Sequence, residues 1–136
     1  MKKRLQDKVA IITGAGCVGP GWGNGRSMAY RFMEEGASIL AVDKSQDTLA
    51  ETLEICVPFG EKIKTHICDA TNGKAVSDMM DVCMENFGRL DILVNNVGGS
   101  KRGGPVELTE EDWDSQIDHN LKTVFLGCKF AIPHME

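Results

Sequence analysis

Short runs of strongly apolar residues alternate with segments of helical hydrophobic period along this 136-residue chain. The short runs are rich in β-branched residues, which is typical of strands buried on both faces of a sheet. Between them, apolar residues recur every three or four positions, as on one face of an amphipathic helix. Two strands joined by a helix form a parallel pair, because the helix provides the crossover. The alternation therefore predicts an α/β fold.

The pattern predicts four strands, at 9–12, 38–42, 63–67 and 92–94. Helices are predicted at 26–35, 48–56 and 76–87, and a long last helix is predicted to follow a cap at Thr109 and to end near Pro133. The apolar residues predicted to run along one face of this last helix are Trp113, Ile117, Leu121, Val124, Cys128 and Ile132. This order predicts a Rossmann-type, doubly wound parallel sheet, with a ligand site in the loops after the carboxyl ends of the strands.

The composition excludes several classes of protein. Hydrophobic residues make up 42% and charged residues 26%, and the net charge of -5 argues against nucleic acid as a partner. No apolar run approaches the length of a membrane span, so no membrane association is expected. The five cysteines contain no Cys-x-x-Cys pair and the three histidines are scattered, so we expect neither disulfides nor a metal site. A cytoplasmic protein is the simplest expectation.

The segment 13–25, TGAGCVGPGWGNG, holds six glycines between the first strand and the first helix. Such a turn lets backbone approach a pyrophosphate, whose charge is favoured by the free N–H groups at the start of the helix. Glycine turns between strands and helices are common, so the turn alone is weak evidence. Asp43 strengthens it, because a carboxylate at the end of the second strand can accept hydrogen bonds from the adenosine ribose. A carboxylate also repels a 2′-phosphate, so NAD is favoured over NADP.

Several motifs together resemble the amino-terminal part of the short-chain dehydrogenase/reductase family. These are KVAIITGAG followed by GNGR, AVD at the second strand, CDAT at the third, DILVNNVGG at the fourth, and DWDSQIDHNLKTVFLGCKFAIPHM in the last helix. The resemblance covers essentially the whole chain. It implies an NAD(P)-dependent oxidoreductase that moves a hydride between nicotinamide and the carbon of an alcohol or ketone.

The resemblance also implies roles for individual residues. The residues expected to bind the cofactor are Gly14, Gly23, Asn24, Gly25, Asp43, Asp69, Ala70, Asn96 and Gly98. Asp69 and Ala70 would frame the adenine. Asn120 matches the asparagine of the family's catalytic tetrad, which holds a water in a proton relay. No metal is implied.

Three features depart from the family pattern. Val97 replaces the usual alanine, and Asn24 stands where an apolar residue is usual. The glycine motif carries about five extra residues, so the segment 17–22 has no counterpart in the common pattern. The phosphate contacts of Gly16, Gly19 and Gly21 are therefore left open.

The family's reaction also requires a serine and a tyrosine followed four residues later by a lysine. The only tyrosine here is Tyr30, and Glu34 stands four residues after it. We therefore expect residues 1–136 to be an incomplete Rossmann domain, truncated after the fourth strand and its helix and inactive alone. Its uncovered edge strand would make it marginally stable or a homo-oligomer. A small alcohol or ketone is an expected substrate only of a full-length form.

Two alternatives stay open. The chain could be an inactive stand-alone dinucleotide-binding module. It could also be part of an enzyme like the enoyl-acyl-carrier-protein reductases, whose longer glycine loop and Ser-Ile-Ala segment resemble GRSMAYRF here. The motifs NNVGG and AVD favour the main dehydrogenase branch.

Overall fold

A computed structural model describes residues 2–18 and 20–136. It contains a four-stranded parallel sheet in the order β3-β2-β1-β4, with helices between successive strands. The strands are β1 (Val9–Thr13), β2 (Ser38–Asp43), β3 (Ile63–Ile67) and β4 (Ile92–Val94). The helices are α1 (Asn24–Glu34), α2 (Gln46–Ile55), α3 (Gly73–Phe87), α4 (Glu110–Ile117) and α5 (Thr123–Met135). The predicted Rossmann-type α/β fold is confirmed.

The central strand β1 is buried along its whole length. Its register places Val9 opposite Ser38 of β2 and Ala10 opposite Ile92 of β4. Because all pairs are parallel, the carboxyl ends of the four strands lie at one edge of the sheet. The loops that follow the strands therefore start close to one another.

The hydrophobic core lies on both faces of the sheet, because successive side chains of a strand point to opposite sides. Residues Val9, Ile11, Leu40 and Val42 belong to the cluster that includes side chains of α3 and α5. Residues Ala10, Ile12, Ile39 and Ala41 belong to the cluster that includes side chains of α1 and α2. Both faces of β1 and β2 are covered by helices, which explains why these two strands lack alternating polar residues.

The last helical segment differs from its prediction. A π-helical turn at Asp118–Lys122 separates α4 from α5, and α5 continues through Pro133 to Met135. The apolar face that the spacing predicted on this helix is mostly exposed, with Trp113 and Leu121 both 62% accessible. The buried side of α5 is instead formed by Thr123, Leu126, Gly127 and Ala131.

Small side chains explain why this side faces the sheet. A Cβ on Gly127 would lie only 2.4 Å from Oδ1 of Asn95, so any larger residue at this position would force the Asn95 side chain to shift. The spacing of large apolar residues in the sequence could not reveal this contact, because the contact depends on a residue without a side chain. Among the described residues, no helix is both long enough and apolar enough to span a membrane.

Candidate functional site

A cavity of about 560 Å³ opens at the carboxyl edge of the sheet. Its walls come from the loops after all four strands and from the start of α1. The predicted cofactor residues all line it: Gly14, Gly23, Asn24, Gly25, Asp43, Asp69, Ala70, Asn96 and Gly98. The fold thus brings together residues that are up to 84 positions apart in the sequence, since Gly14 and Gly98 both line the cavity.

The two ends of the glycine-rich loop touch each other. Gly14 follows β1 with a φ of 63°, in the left-handed region that favours glycine. A Cβ on Gly25, in the first turn of α1, would lie 2.0 Å from the carbonyl oxygen of Gly14. No acidic side chain lies in the first turn of α1, and Gly23 at its N-cap provides no side-chain cap. Backbone N–H groups at this helix start are therefore available to an anion.

Thr13 and Asn96 connect the ends of β1 and β4. The Thr13 hydroxyl donates to the carbonyl oxygen of Val94 at 3.1 Å and accepts from the backbone N–H of Asn96 at 3.0 Å. The side-chain amide of Asn96 donates to the carbonyl oxygen of Gly14 at 3.1 Å. These bonds hold two walls of the cavity at a fixed separation.

Asp43 is the last residue of β2 and is half-buried at the cavity wall. Its Oδ2 accepts from the backbone N–H of Gly16 at 2.9 Å, and its Oδ1 accepts from the N–H of Lys44 at 2.7 Å. A Cβ on Gly16 would lie 2.2 Å from Oγ1 of Thr48 and 2.8 Å from Oδ2 of Asp43. Glycine at this position thus lets the loop backbone reach the carboxylate and orient it.

A second carboxylate, Asp69, lies in the wall after β3. Its Oδ1 accepts from both the hydroxyl and the backbone N–H of Thr71, and these bonds hold the pKa of Asp69 below its ordinary value. His119 also lines the cavity, although the sequence suggested only scattered surface histidines. The wall is therefore acidic near Asp43 and Asp69, with an imidazole nearby.

Asn120 lies in the π-helical turn and does not line the cavity directly. Its Oδ1 accepts from the N–H of Gly99 at 2.9 Å, while its Nδ2 donates to the carbonyl oxygens of Gly99 at 2.8 Å and Gln116 at 2.9 Å. The side chain thus fixes the loop after β4, which carries Gly98. A one-turn π-helical insertion is frequently found at functional sites.

The described residues of the extra loop segment begin beside the same cavity. Cys17 and Val18 contribute to the wall, and Val18 is fully exposed. Trp22, 58% exposed, packs edge-on against Tyr30, with ring centroids 5.3 Å apart. Gly19, whose phosphate contact was left open by the sequence, lies outside the described residues.

Tyr30 is placed away from the cavity. It makes edge-on contacts with Trp22 on one side and Phe59 on the other, the latter at 5.0 Å. Tyr30 thus packs between two aromatic rings, and it does not line the cavity.

Sequence reasoning also missed Arg26, which lies behind the cavity. It is completely buried, and its guanidinium bonds to Thr52, Thr48 and Gly21. A signal was present, because Arg26 stands three and seven positions before the buried Ala29 and Met33 and so shares their helical face. Charged residues are rarely buried in a core unless they are paired, so burial of Arg26 was not expected from the sequence.

Comparisons with known proteins agree with the geometry. The family model described as short chain dehydrogenase matches residues 8–136. The 3-oxoacyl-[acyl-carrier-protein] reductase FabG of Thermotoga maritima is 32% identical over 132 residues, which cover 97% of this chain and 52% of that protein. The chain spans about half the length of the curated relatives it matches.

Solved structures give the same result. A short-chain dehydrogenase/reductase from Burkholderia xenovorans is 48% identical and superposes with a TM-score of 0.94, covering 98% of this chain and 53% of that one. Carveol dehydrogenase from Mycobacterium avium, solved in complex with NAD, is 32% identical with a TM-score of 0.89, covering 98% of this chain and 51% of that one. On the family match and these similarities, the chain belongs to the short-chain dehydrogenase family.

Proposed function

We propose that the protein is an NAD-dependent oxidoreductase, and that residues 1–136 form its dinucleotide-binding part. The family binds NAD or NADP. The observation that carries the proposal is the cavity at the carboxyl edge of the sheet, whose wall includes all nine residues predicted to bind the cofactor. When bound, the nicotinamide ring supplies the hydride chemistry, with an alcohol or ketone as the second reactant.

The glycine-rich loop fits a pyrophosphate. The space that a Cβ on Gly25 would fill is taken by the backbone of Gly14, so strand end and helix start lie in direct contact. Beside them, Gly23 and Asn24 line the cavity where the N–H groups of α1 are free. These groups and the helix dipole favour the negative charge of a diphosphate.

Asp43 supports NAD as the cofactor. Both of its oxygens already accept a backbone N–H, and each carboxylate oxygen can accept further hydrogen bonds from ribose hydroxyls. A 2′-phosphate would meet this charge and the nearby charge of Asp69. We infer from these two carboxylates that NADP binds more weakly than NAD.

In this proposal the side chain of Asn120 positions the loop after β4. Its amide holds both the N–H and the carbonyl of Gly99, so it fixes the loop that presents Gly98 and Val97 to the cavity. The water-holding role implied by family resemblance is an additional prediction for this residue. In the whole protein it would place that relay beside the nicotinamide.

The proposal is tested by calorimetric titration with NAD and NADP and by a spectrophotometric assay for NADH formation with alcohols. We expect NAD to bind at least about tenfold more tightly than NADP, which corresponds to about 1.4 kcal/mol. Hydride transfer is expected only from a protein that also contains the serine, tyrosine and lysine of the family. Tighter binding of NADP than of NAD would contradict the assignment, as would turnover by the 136-residue chain alone.

A further inference from the structure

A buried polar network connects α1 and α2 to both ends of the glycine-rich loop. Nε of Arg26 donates to Oγ1 of Thr52 at 2.9 Å, and the same hydroxyl donates to the carbonyl oxygen of Ala15 at 2.8 Å. Nη1 of Arg26 donates to the carbonyl oxygen of Gly21 at 2.7 Å. Ala15 lies at the start of the loop and Gly21 near its end. The side chains of Thr52 and Arg26 therefore hold the backbone at both ends of the loop.

The network has further partners on α2. Nη2 of Arg26 donates to the carbonyl oxygen of Thr48 at 3.0 Å, and Nη1 lies 3.2 Å from Oε2 of Glu51. The side chain of Arg26 is only 1% exposed, whereas that of Glu51 is 56% exposed. Burying a guanidinium requires that its donors be satisfied, and here each of the three nitrogens has an acceptor. The arginine is thus fixed at a single geometry.

The loop residue next to Ala15 contacts the cavity carboxylate. The N–H of Ala15 donates to the carbonyl oxygen of Val42, and the N–H of the following residue, Gly16, donates to Oδ2 of Asp43. Thr52 therefore holds the carbonyl of one residue while the next residue orients the carboxylate. A shift of Ala15 would move the donor that sets the direction of Asp43.

We propose that Arg26 and Thr52 are positioning residues for the dinucleotide, which fix the loop so that Gly16 orients Asp43 toward the adenosine ribose. The inference rests on the proposed function, since it assumes that Asp43 accepts from the ribose hydroxyls. Neither residue touches the cofactor, because neither lines the cavity. They act through the backbone of residues 15–16 and 21.

The test is a thermodynamic cycle that pairs a protein variant with a change in the ligand. ADP and 2′-deoxy-ADP are titrated into the unaltered protein, into Thr52→Val and into Thr52→Ser. Valine has the shape of threonine but removes the hydroxyl from both Arg26 and Ala15, whereas serine retains it. A general loss of stability would weaken both ligands alike and leave their ratio unchanged.

The unaltered protein should bind ADP about tenfold more tightly than 2′-deoxy-ADP, because a hydrogen bond to a carboxylate is lost. In Thr52→Val this ratio should fall to about twofold, and in Thr52→Ser it should stay near its original value. Arg26→Lys is a second variant. It keeps a positive charge near Glu51 but cannot bond to Thr52, Thr48 and Gly21 at once, so it should also lower the ratio.

The outcomes separate the two proposals. If the unaltered protein distinguishes the two ligands and Thr52→Val does so equally, the positioning role is overturned while the proposed function stands. If the unaltered protein binds neither ligand, the proposed function fails and this inference fails with it. A lowered ratio in both Thr52→Val and Arg26→Lys, with the ratio retained in Thr52→Ser, supports the positioning role.

Discussion

The backbone N–H of Gly16 donates to Oδ2 of Asp43 at 2.9 Å and so joins the loop after β1 to the end of β2. The two residues are 27 positions apart in the sequence. Their contact requires both a glycine that leaves room beside Thr48 and a parallel register that brings the two strand ends together. The carboxylate that is proposed to select NAD is thus oriented by the same loop that is proposed to bind the pyrophosphate.

Replacing Asp43 with alanine should weaken NAD binding by about tenfold or more, because the ribose hydroxyls lose a charged acceptor. The same change should bring the affinities for NAD and NADP closer, since the charge facing a 2′-phosphate is reduced. Calorimetric titration of both dinucleotides measures this. Asp81→Ala, which removes an exposed carboxylate of α3 outside the cavity wall, is the matched control. Equal losses in the two variants would contradict the role of Asp43.

Replacing Gly25 with alanine should destabilise the protein by about 3 kcal/mol, because the new methyl group would overlap the backbone of Gly14. Binding of ADP should weaken as well, since strand end and helix start must separate. Chemical denaturation and ligand titration measure the two effects.

The control for that change is Gly73→Ala in the first turn of α3. There an added Cβ would lie 3.7 Å from Cδ2 of Leu126, an ordinary van der Waals distance. Stability should then change little or rise by about 0.5 kcal/mol, because alanine restricts the unfolded chain. A similar loss in both variants would show that crowding at Gly25 is not the cause.

Replacing Asn120 with alanine should weaken dinucleotide binding several-fold, by removing the bonds that hold Gly99. The backbone amides of the loop after β4 should also exchange their hydrogens faster. Asn86→Ala is a matched control, because Asn86 bonds to Val82 within α3 and lies outside the cavity wall. If exchange in the loop after β4 is unchanged in Asn120→Ala, the positioning role of its side chain is wrong.

Stability should fall as pH rises from 9 to about 11. Burial, with a smaller effect of Asp69 and Asp78, raises the pKa of the Cys68 thiol from 9.0 to about 11. Burial and the charge of Asp91 raise the pKa of Cys83 from 9.0 to about 11. In this interval the unfolded chain has lost thiol protons that the folded chain retains, so the free energy of unfolding decreases with pH.

Urea denaturation at several pH values measures this dependence. A variant carrying Cys68→Ala and Cys83→Ala should be less stable at neutral pH but should lose less stability between pH 9 and about pH 11. Below pH 9 the contribution of both thiols is fully present, so the two proteins should differ by a constant amount there. An identical slope in the two proteins above pH 9 would contradict the raised pKa values.

The strands and most helices could be predicted because their signals are local. Strands at 38–42 and 63–67 were placed within one residue, the first because a short apolar run suits a buried parallel strand and the second because Ile63, Thr65 and Ile67 alternate with Lys64 and His66. The glycine loop and Asp43 could be placed at one edge of the sheet for a similar reason, because parallel topology puts all strand ends together. Local pattern and topology were sufficient for these features.

The last helix and Arg26 could not be predicted in the same way. In α5 most large apolar side chains lie outside, and the buried side carries Leu126 with the small Gly127 and Ala131, since a Cβ on Gly127 would crowd the side chain of Asn95. Arg26 is buried because acceptors from α2 and the loop converge on it, and these come from positions up to 26 residues away. Hydrophobic periodicity places Arg26 on the buried face of α1, but it contains no information on which distant groups pack against that face or against α5.

The sequence by itself determined the order of strands and helices along the chain, because that order depends on local periodicity. Its motifs also carried the family resemblance, which implied the residues expected around the dinucleotide. The tertiary structure alone decided which face of α5 is buried, how Asp43 is oriented, and how Arg26 and Thr52 hold the glycine-rich loop. Those features depend on close approaches and hydrogen bonds between segments distant in the sequence, which exist only once the chain has packed.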